Sequence, residues 1–269
     1  HATGISMDQL PNLGRELEML SEMGMESIDE LFADIPEEVR RNGPLPLPEP
    51  QSEEEILADA QRLLGANTHL DSRPSFISAG LARNFVPTMV PMLATRGEFL
   101  TSYTPYQPEV SQGMLQAMWE FQTMVSELVG LPVANVSMYD ASTAAAEAIT
   151  CAVRVRSKRS SQPNTVYVSE FVPPHRMSVI ENYTQGVGIE IKVLPHRDDG
   201  TLDLEAAKTA NDSCAVYVEQ PNAFGSMDEG LPDLRSIIGE KTALIVGVDV
   251  VSLGLIEAPG NWGADIVVG

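Results

Sequence analysis

TVYVSEFVPPHRMSVIENYT, residues 165–184, sets an apolar run of strand length against a helical pattern opened by prolines, and this pairing decides the fold. β-branched and aromatic residues dominate TVYVSE, as a pleated surface favours, and Pro173 and Pro174 then break the run. Towards the carboxyl terminus the alternation continues through IEIKVLP (189–195), DLEAAKTA (203–210), CAVYVEQP (214–221), LPDLRSIIG (231–239), TALIVGVDV (242–250) and ADIVVG (264–269). Towards the amino terminus VSMYD (136–140) reads as a strand that runs through Asp140 into a helix from about Ser142. Strands alternating with helices predict an α/β fold, a parallel sheet covered on both faces.

Upstream of this region, a long helix is expected to run to Val129. Its Leu115, Met118, Trp119, Val125, Leu128 and Val129 sit mostly at three-and-four spacing, and Gly130 with Pro132 ends it. A polar, aromatic loop punctuated by prolines, EFLTSYTPYQPEVSQG (98–113), leads into it. Residues 8–40 read as short helices: Ser27 with Glu30 makes a capping-box pattern, and Pro36 followed by two acids opens a further turn. RNGPLPLPEPQ (41–51) holds four prolines and reads as an extended linker. Ser52 and Glu55 cap another helix, whose Ile56, Leu57, Ala60, Leu63 and Leu64 form one apolar stripe. Residues 1–70 are therefore expected to form a helical arm, and 71–269 a large α/β domain.

Length and charge narrow the function. A chain of 269 residues can bury a sizeable core. Its 38 acidic against 17 basic residues give a formal charge of -21, a field that repels nucleic acid and anionic membranes. Only four of the basic residues are lysines (Lys158, Lys192, Lys208 and Lys241), and an acidic, lysine-poor surface suits concentrated salt, where screening removes self-repulsion. The alternative is an ordinary acidic cytoplasmic protein. Cys151 and Cys214 cannot build a disulfide framework and point to a reducing compartment. His1, His69, His175 and His196 show no metal-ligand spacing, so no metal site is expected. The longest apolar stretch, 243–256, is too short for a bilayer span and carries Asp249 in its middle. No leader is evident, and an end directly after ADIVV reads as part of a longer cytoplasmic polypeptide.

No GxSxG elbow, P-loop or HExxH motif is present. Four features carry candidate chemistry, each beside a plainer reading. Ser142 and Thr143, at the start of an alanine-rich helix, could hold a phosphate or carboxylate, or simply cap the helix. Asp249 interrupts an apolar strand and could hold a pyridinium nitrogen; a solvent-facing aspartate at the strand's carboxyl end is the alternative. Ser102, Tyr103, Thr104, Tyr106, Gln107 and Glu109, braced by Pro105 and Pro108, suit a small polar ligand or a subunit interface, or fill an ordinary turn. His175 either stacks on a flat ring or caps a helix, and the cap is the favoured reading.

Four strings carry a family resemblance: SIDELFADIPEEVR (27–40), TSYTPYQPEVSQGMLQAMWEFQTMVSELVGLPVANVSMYDASTAAAEA (101–148), VEQPNAFGSMDE (218–229) and GVDVVSLGLIEAPGNWGADIVVG (247–269). In order and content they resemble the amino-terminal half, or α subunit, of the glycine cleavage system P-protein. That resemblance implies a pyridoxal-phosphate enzyme of the aspartate aminotransferase type (fold type I). It decarboxylates glycine and passes the remaining aminomethyl group to the lipoyl arm of the H-protein, and its electron-accepting ring makes the loss of carbon dioxide feasible. It also implies that Asp249, His175, Ser142 and Thr143 stand where cofactor contacts would be, as possible relics. In that fold the anchoring lysine such a cofactor needs lies beyond the strand after Asp249. Here that strand is ADIVVG (264–269), the chain ends with it, and the four lysines fall elsewhere. The family's α chain is expected to lack that lysine. The cofactor is therefore expected on a β partner, in an α2β2 assembly. The loop from Ser102 to Glu109, with Arg83 and Asn84, is expected to reach across to the partner's glycine and lipoyl site. Two competing expectations are a non-catalytic structural subunit and a truncated, self-sufficient pyridoxal-phosphate decarboxylase or aminotransferase.

Overall fold

Five short strands make the sheet: β1 (Thr165–Ser169), β2 (Glu190–Leu194), β3 (Ala215–Gln220), β4 (Ala243–Val248) and β5 (Ile266–Val268). They run in the order β2-β1-β3-β4-β5, and every pairing is parallel. The structure is a computed structural model that describes residues 12–41, 43–68, 73–74, 83–157 and 164–269. His1, His69 and Lys158, together with the start of the expected helical arm, lie outside these residues.

Two compact units divide the chain, His1–Arg73 and Pro74–Gly269. In the first, α1 (Glu16–Glu22) and α2 (Glu53–Leu64) flank a 3-10 turn at Ile28–Phe32. Each expected capping pair is made from the acidic side: Glu30 accepts from the Ser27 N–H at 2.9 Å and Glu55 from the Ser52 N–H at 2.7 Å. The Ser52 hydroxyl completes its box by accepting from the Glu55 N–H. The apolar stripe of α2 stays on the surface, with Ile56, Leu57, Leu63 and Leu64 all exposed.

In the second unit the helices are α3 (Met89–Ala94), α4 (Gly97–Leu100), α5 (Gln112–Val129), α6 (Ala141–Ser157), α7 (Pro174–Gln185), α8 (Leu204–Ala207) and α9 (Leu234–Ile238). Helix α5 ends at Gly130, whose φ of 72° is a left-handed cap that glycine adopts without strain. Along β3 the side chains alternate. Ala215 and Tyr217 join the core formed with Ile149 of α6 and Ile180 of α7, while Val216 and Val218 join the core formed with Leu234 and Ile238 of α9. All six β3 residues are buried, which is why CAVYV reads as a plain apolar run before Glu219 and Gln220.

One expected strand does not form. VSMYD has no ladder partner among the described residues, and Val136, Met138 and Tyr139 remain exposed. Its last residue is instead taken up in starting α6, where the Ala144 N–H donates to the Asp140 carbonyl at 3.0 Å.

At the amino ends of β4 and β5 a single arginine does the joining. Arg235 of α9 donates to the carbonyls of Gly263 (2.7 and 2.9 Å), Gly239 (3.0 Å) and Thr242 (3.0 Å), and pairs with Asp265. Asp265 in turn accepts from the Leu244 N–H at 2.8 Å. Arg235→Ala strands several carbonyls that water reaches poorly, and should lower unfolding free energy by about 2 kcal/mol in urea titration. An unchanged midpoint would show that these carbonyls find other donors.

Candidate functional site

The strand order reverses direction at β1. From β1 the chain steps outward to β2, then crosses back to β3, so the carboxyl ends of β1 and β3 part. In open α/β sheets that crevice is where ligands bind. The first turn of α7 follows β1 into it with His175 and Arg176, and β3 ends beside it with Glu219 and Gln220.

A buried polar cluster holds this place. The Arg176 Nη1 donates to Glu219 Oε1 at 2.5 Å, and the Tyr217 hydroxyl donates to the same oxygen at 2.8 Å. Glu219 is 6% exposed at its side chain and Arg176 16%. Room for the phenol comes from β4. A Cβ on Gly247 would stand 2.6 Å from Tyr217 Oη and 3.0 Å from Glu219 Cγ, so no larger residue fits there without displacing the cluster. Burial pushes the Glu219 carboxyl above the usual carboxylate value, with Arg176 pulling it part of the way back. Burial also drives the Tyr217 phenol well up, and the Glu219 charge beside it adds to the effect. For Arg176 burial acts downward, but its neighbours Tyr217 and Glu219 outweigh it and hold the guanidinium above its ordinary value.

The amino end of α6 faces the same charges. Asp140 is its N-cap: Oδ1 accepts from the N–H groups of Ser142 (2.8 Å) and Thr143 (2.9 Å). Thr143 locks the turn, its hydroxyl donating to the Asp140 carbonyl at 3.0 Å. The Thr143 N–H bond, first of all, keeps the Asp140 carboxyl below its ordinary value, and the Arg176 charge contributes in the same direction. His175, beside Arg176 in the first turn of α7, is exposed. It does not cap α7, whose N-cap is Pro173 without a side-chain bond. The favoured capping reading of His175 is therefore corrected, because the helix opens one residue earlier on a proline that leaves no N–H to satisfy.

Asp249 stands at the carboxyl end of β4, half-buried. Its Oδ1 accepts from the Val251 N–H at 3.1 Å, starting the 3-10 turn Val250–Gly254. At the end of β2, His196 stacks on Phe171 with ring centres 4.0 Å apart, its Nε2 3.4 Å from the Ser169 hydroxyl, and burial lowers its basicity.

The Ser102 to Glu109 loop is a separate feature. Tyr103 and Tyr106 are 95% and 84% exposed, and neither phenol engages another described residue. Ser102 donates to the Glu98 carbonyl at 2.9 Å, and Tyr106 N–H to the Thr104 carbonyl at 2.8 Å, so the loop is braced from within. Gln107 leads into the 3-10 turn Pro108–Val110. Just beyond, Glu109 borders an open groove of about 520 Å³ against α5, with Trp119 on its wall. Arg83 and Asn84 are exposed on an irregular stretch before α3. No hydrogen bond or ion pair found among the described residues joins the loop to the cleft.

Sequence reading singled out Ser142, Thr143, His175 and Asp249 but missed Asp140, Arg176, Tyr217 and Glu219. A signal for Glu219 existed: it is an acid inside an apolar strand run, as Asp249 is, and should have been weighed the same way.

A family model for the glycine cleavage system P-protein matches residues 11–269. The chain belongs to the glycine cleavage system P-protein family. It is 46% identical over 263 residues to a protein of Pyrococcus abyssi named "Probable glycine dehydrogenase (decarboxylating) subunit 1", covering 97% of this chain and 58% of that one. A protein of Pyrococcus furiosus with the same name is also 46% identical, over 97% of this chain and 57% of its own length. Among solved structures, a glycine decarboxylase (P-protein) of the glycine cleavage system in inhibitor-bound form is similar at 38% identity. Its TM-score is 0.76, with 93% of this chain and 55% of that chain covered. The chain thus spans a little over half the length of the P-proteins it matches, and its sheet is that of the pyridoxal-phosphate-dependent fold type I.

On this P-protein chain the cleft does not fit pyridoxal phosphate. Both N–H groups that would receive a phosphate at α6 are already bound by the Asp140 carboxylate. Asp249 spends one carboxylate oxygen on its own turn. Among the described lysines, Lys192 lies in the middle of β2 near Glu190, Lys208 pairs with Glu205, and Lys241 precedes β4. None of these three stands at the carboxyl edge of β4 or β5. No described helix is long and apolar enough to cross a membrane.

Proposed function

We propose that this chain is the α-type subunit of a glycine decarboxylase. It would complete a site whose pyridoxal phosphate is carried by a β partner in a cytoplasmic α2β2 assembly. Its relatives are named as subunit 1 of that enzyme. The observation that carries the reading is a pair of phenols, Tyr103 and Tyr106, left almost fully exposed on a braced loop, in a chain whose cleft has both N–H groups at the start of α6 already taken by Asp140. Tyrosine gives large contact area with a polar tip at small entropic cost, so it suits a wall closed against a partner.

In this division of labour the cofactor supplies the electron sink that loss of carbon dioxide requires. This chain's residues would orient and enclose. Tyr103, Tyr106 and Gln107 would offer hydrogen bonds to glycine, and Ser102, Thr104, Glu109, Arg83 and Asn84 would line the approach of the lipoyl arm of the H-protein. The groove beside Glu109 and Trp119 is roomy enough for an aliphatic arm. Ser142, Thr143, His175 and Asp249 would be structural remnants of a cofactor site.

The test is reconstitution. Co-purified with a subunit 2-type partner, the pair should exchange glycine carboxyl with bicarbonate, while neither chain does so alone. Turnover by this chain by itself would reject the assignment.

We also infer that the protein is adapted to concentrated salt, on its formal charge of -21. The screening length shrinks from about 10 Å at 0.1 M to about 3 Å at 1 M, which relieves repulsion across the whole surface. Melting temperature should therefore climb by several degrees between dilute and molar potassium chloride. A flat melting profile with full activity in dilute salt would contradict this.

A further inference from the structure

The cleft has the fold of a phosphorylated cofactor's site, yet an acid already sits on the helix that would receive the phosphate. Asp140 Oδ1 takes both the Ser142 and Thr143 N–H groups, at 2.8 and 2.9 Å. These are the donors that make a helix N-terminus attractive to anions. Most helices are capped neutrally or by an acid without further consequence. Here the cap opens a helix that packs on β3, β4 and β5, and the Arg176 charge acts on its carboxylate in the same direction as the helix N–H groups.

We propose that Asp140 is a built-in anion that closes this cleft to phosphorylated ligands. The subunit thereby keeps the fold of a cofactor enzyme without competing for the cofactor. The carboxylate excludes a phosphate in two ways: it consumes the donors, and its charge repels a dianion at contact distance. Arg176 is kept from serving as a phosphate clamp by its commitment to Glu219 at 2.5 Å. The alternative occupants of the turn, water or chloride, would leave those N–H groups open to exchange, which a fixed side chain does not.

This deepens the reading that the cofactor belongs to the partner, and its test is separate from the exchange assay. Asp140 is exposed, so Asp140→Gly and Asp140→Ala should both fold, and neither has a side chain that takes up the Ser142 and Thr143 N–H groups. Equilibrium dialysis of the chain against labelled inorganic phosphate, at fixed ionic strength, is the measurement. Wild type should show no saturable binding. Both variants should bind phosphate at least about tenfold more tightly, with pyridoxal 5′-phosphate displacing it and pyridoxal failing to do so. Equal binding by wild type and variants, or no gain in either variant with native melting, would overturn the proposal. Either result leaves the reconstituted exchange activity to be judged on its own.

Discussion

Glu219→Ala should cost this protein about 3–5 kcal/mol of stability, the largest loss expected from any single substitution in the cleft. Two groups are orphaned at once. Arg176, with a side chain 16% exposed, keeps its charge but loses the carboxylate 2.5 Å away. Tyr217, wholly buried, loses the acceptor of its hydroxyl. The magnitude follows from stranding a cation in a poorly hydrated place rather than from the strength of the pair, so Arg176→Met with Glu219→Met should recover much of the loss. Urea titrations of the single and double variants give the comparison. A loss below about 1 kcal/mol in the single variant would mean that Arg176 swings out to water.

The pH dependence has a definite sign. Burial raises the Glu219 carboxyl in the folded state, so the native protein binds that proton more tightly than the unfolded chain does. Its contribution to stability is full below the ordinary glutamate value and is lost as pH rises through the raised folded value. Within that window, the gap between wild type and Glu219→Ala should widen on acidification. The carboxyl of Asp140 is lowered instead, so its contribution is present above the ordinary aspartate value and disappears as pH falls through the folded one. A widening gap on acidification therefore belongs to Glu219, and the cap at α6 runs opposite to it.

Strand identity was legible wherever the chain is buried on both faces. β4 is apolar throughout and β3 is apolar up to Glu219 because neither face meets water, and the period-2 signal is replaced by a plain run. VSMYD misled for the converse reason: its composition favours a strand, but a strand requires a neighbour, and pairing is a property of the whole sheet rather than of the segment. The capping boxes at Ser27 and Ser52 were readable because both partners lie within one helical turn. The Arg176 to Glu219 pair spans 43 residues and depends on the crossover back over β1, so no local pattern carries it. Asp140 was seen as the end of a strand and so was not weighed as a cap, although Asp followed by Ser and Thr before an alanine run is an N-terminal signature.

In the reconstituted assembly, Tyr103→Phe with Tyr106→Phe should lower the rate of glycine–bicarbonate exchange by about a hundredfold or more, the effect expected when preorganised donors are removed from a reacting site. Both side chains are more than four-fifths exposed and touch no described partner through oxygen, so the substitutions should leave the fold within about 0.5 kcal/mol of wild type. Loss of activity then cannot be assigned to unfolding. The kinetic split separates the roles: a fall in kcat at constant KM for glycine places the phenols at the developing charge, whereas a rise in KM alone makes them ground-state contacts. Replacing both by alanine should add a weakening of assembly, since it removes apolar area as well as hydroxyls. A purely structural subunit predicts a different pattern. The phenylalanine pair would assemble and turn over as wild type does, and only the alanine pair would fail, by falling apart. Undiminished exchange from a fully assembled phenylalanine variant would remove the loop from the chemistry and leave this chain as a scaffold.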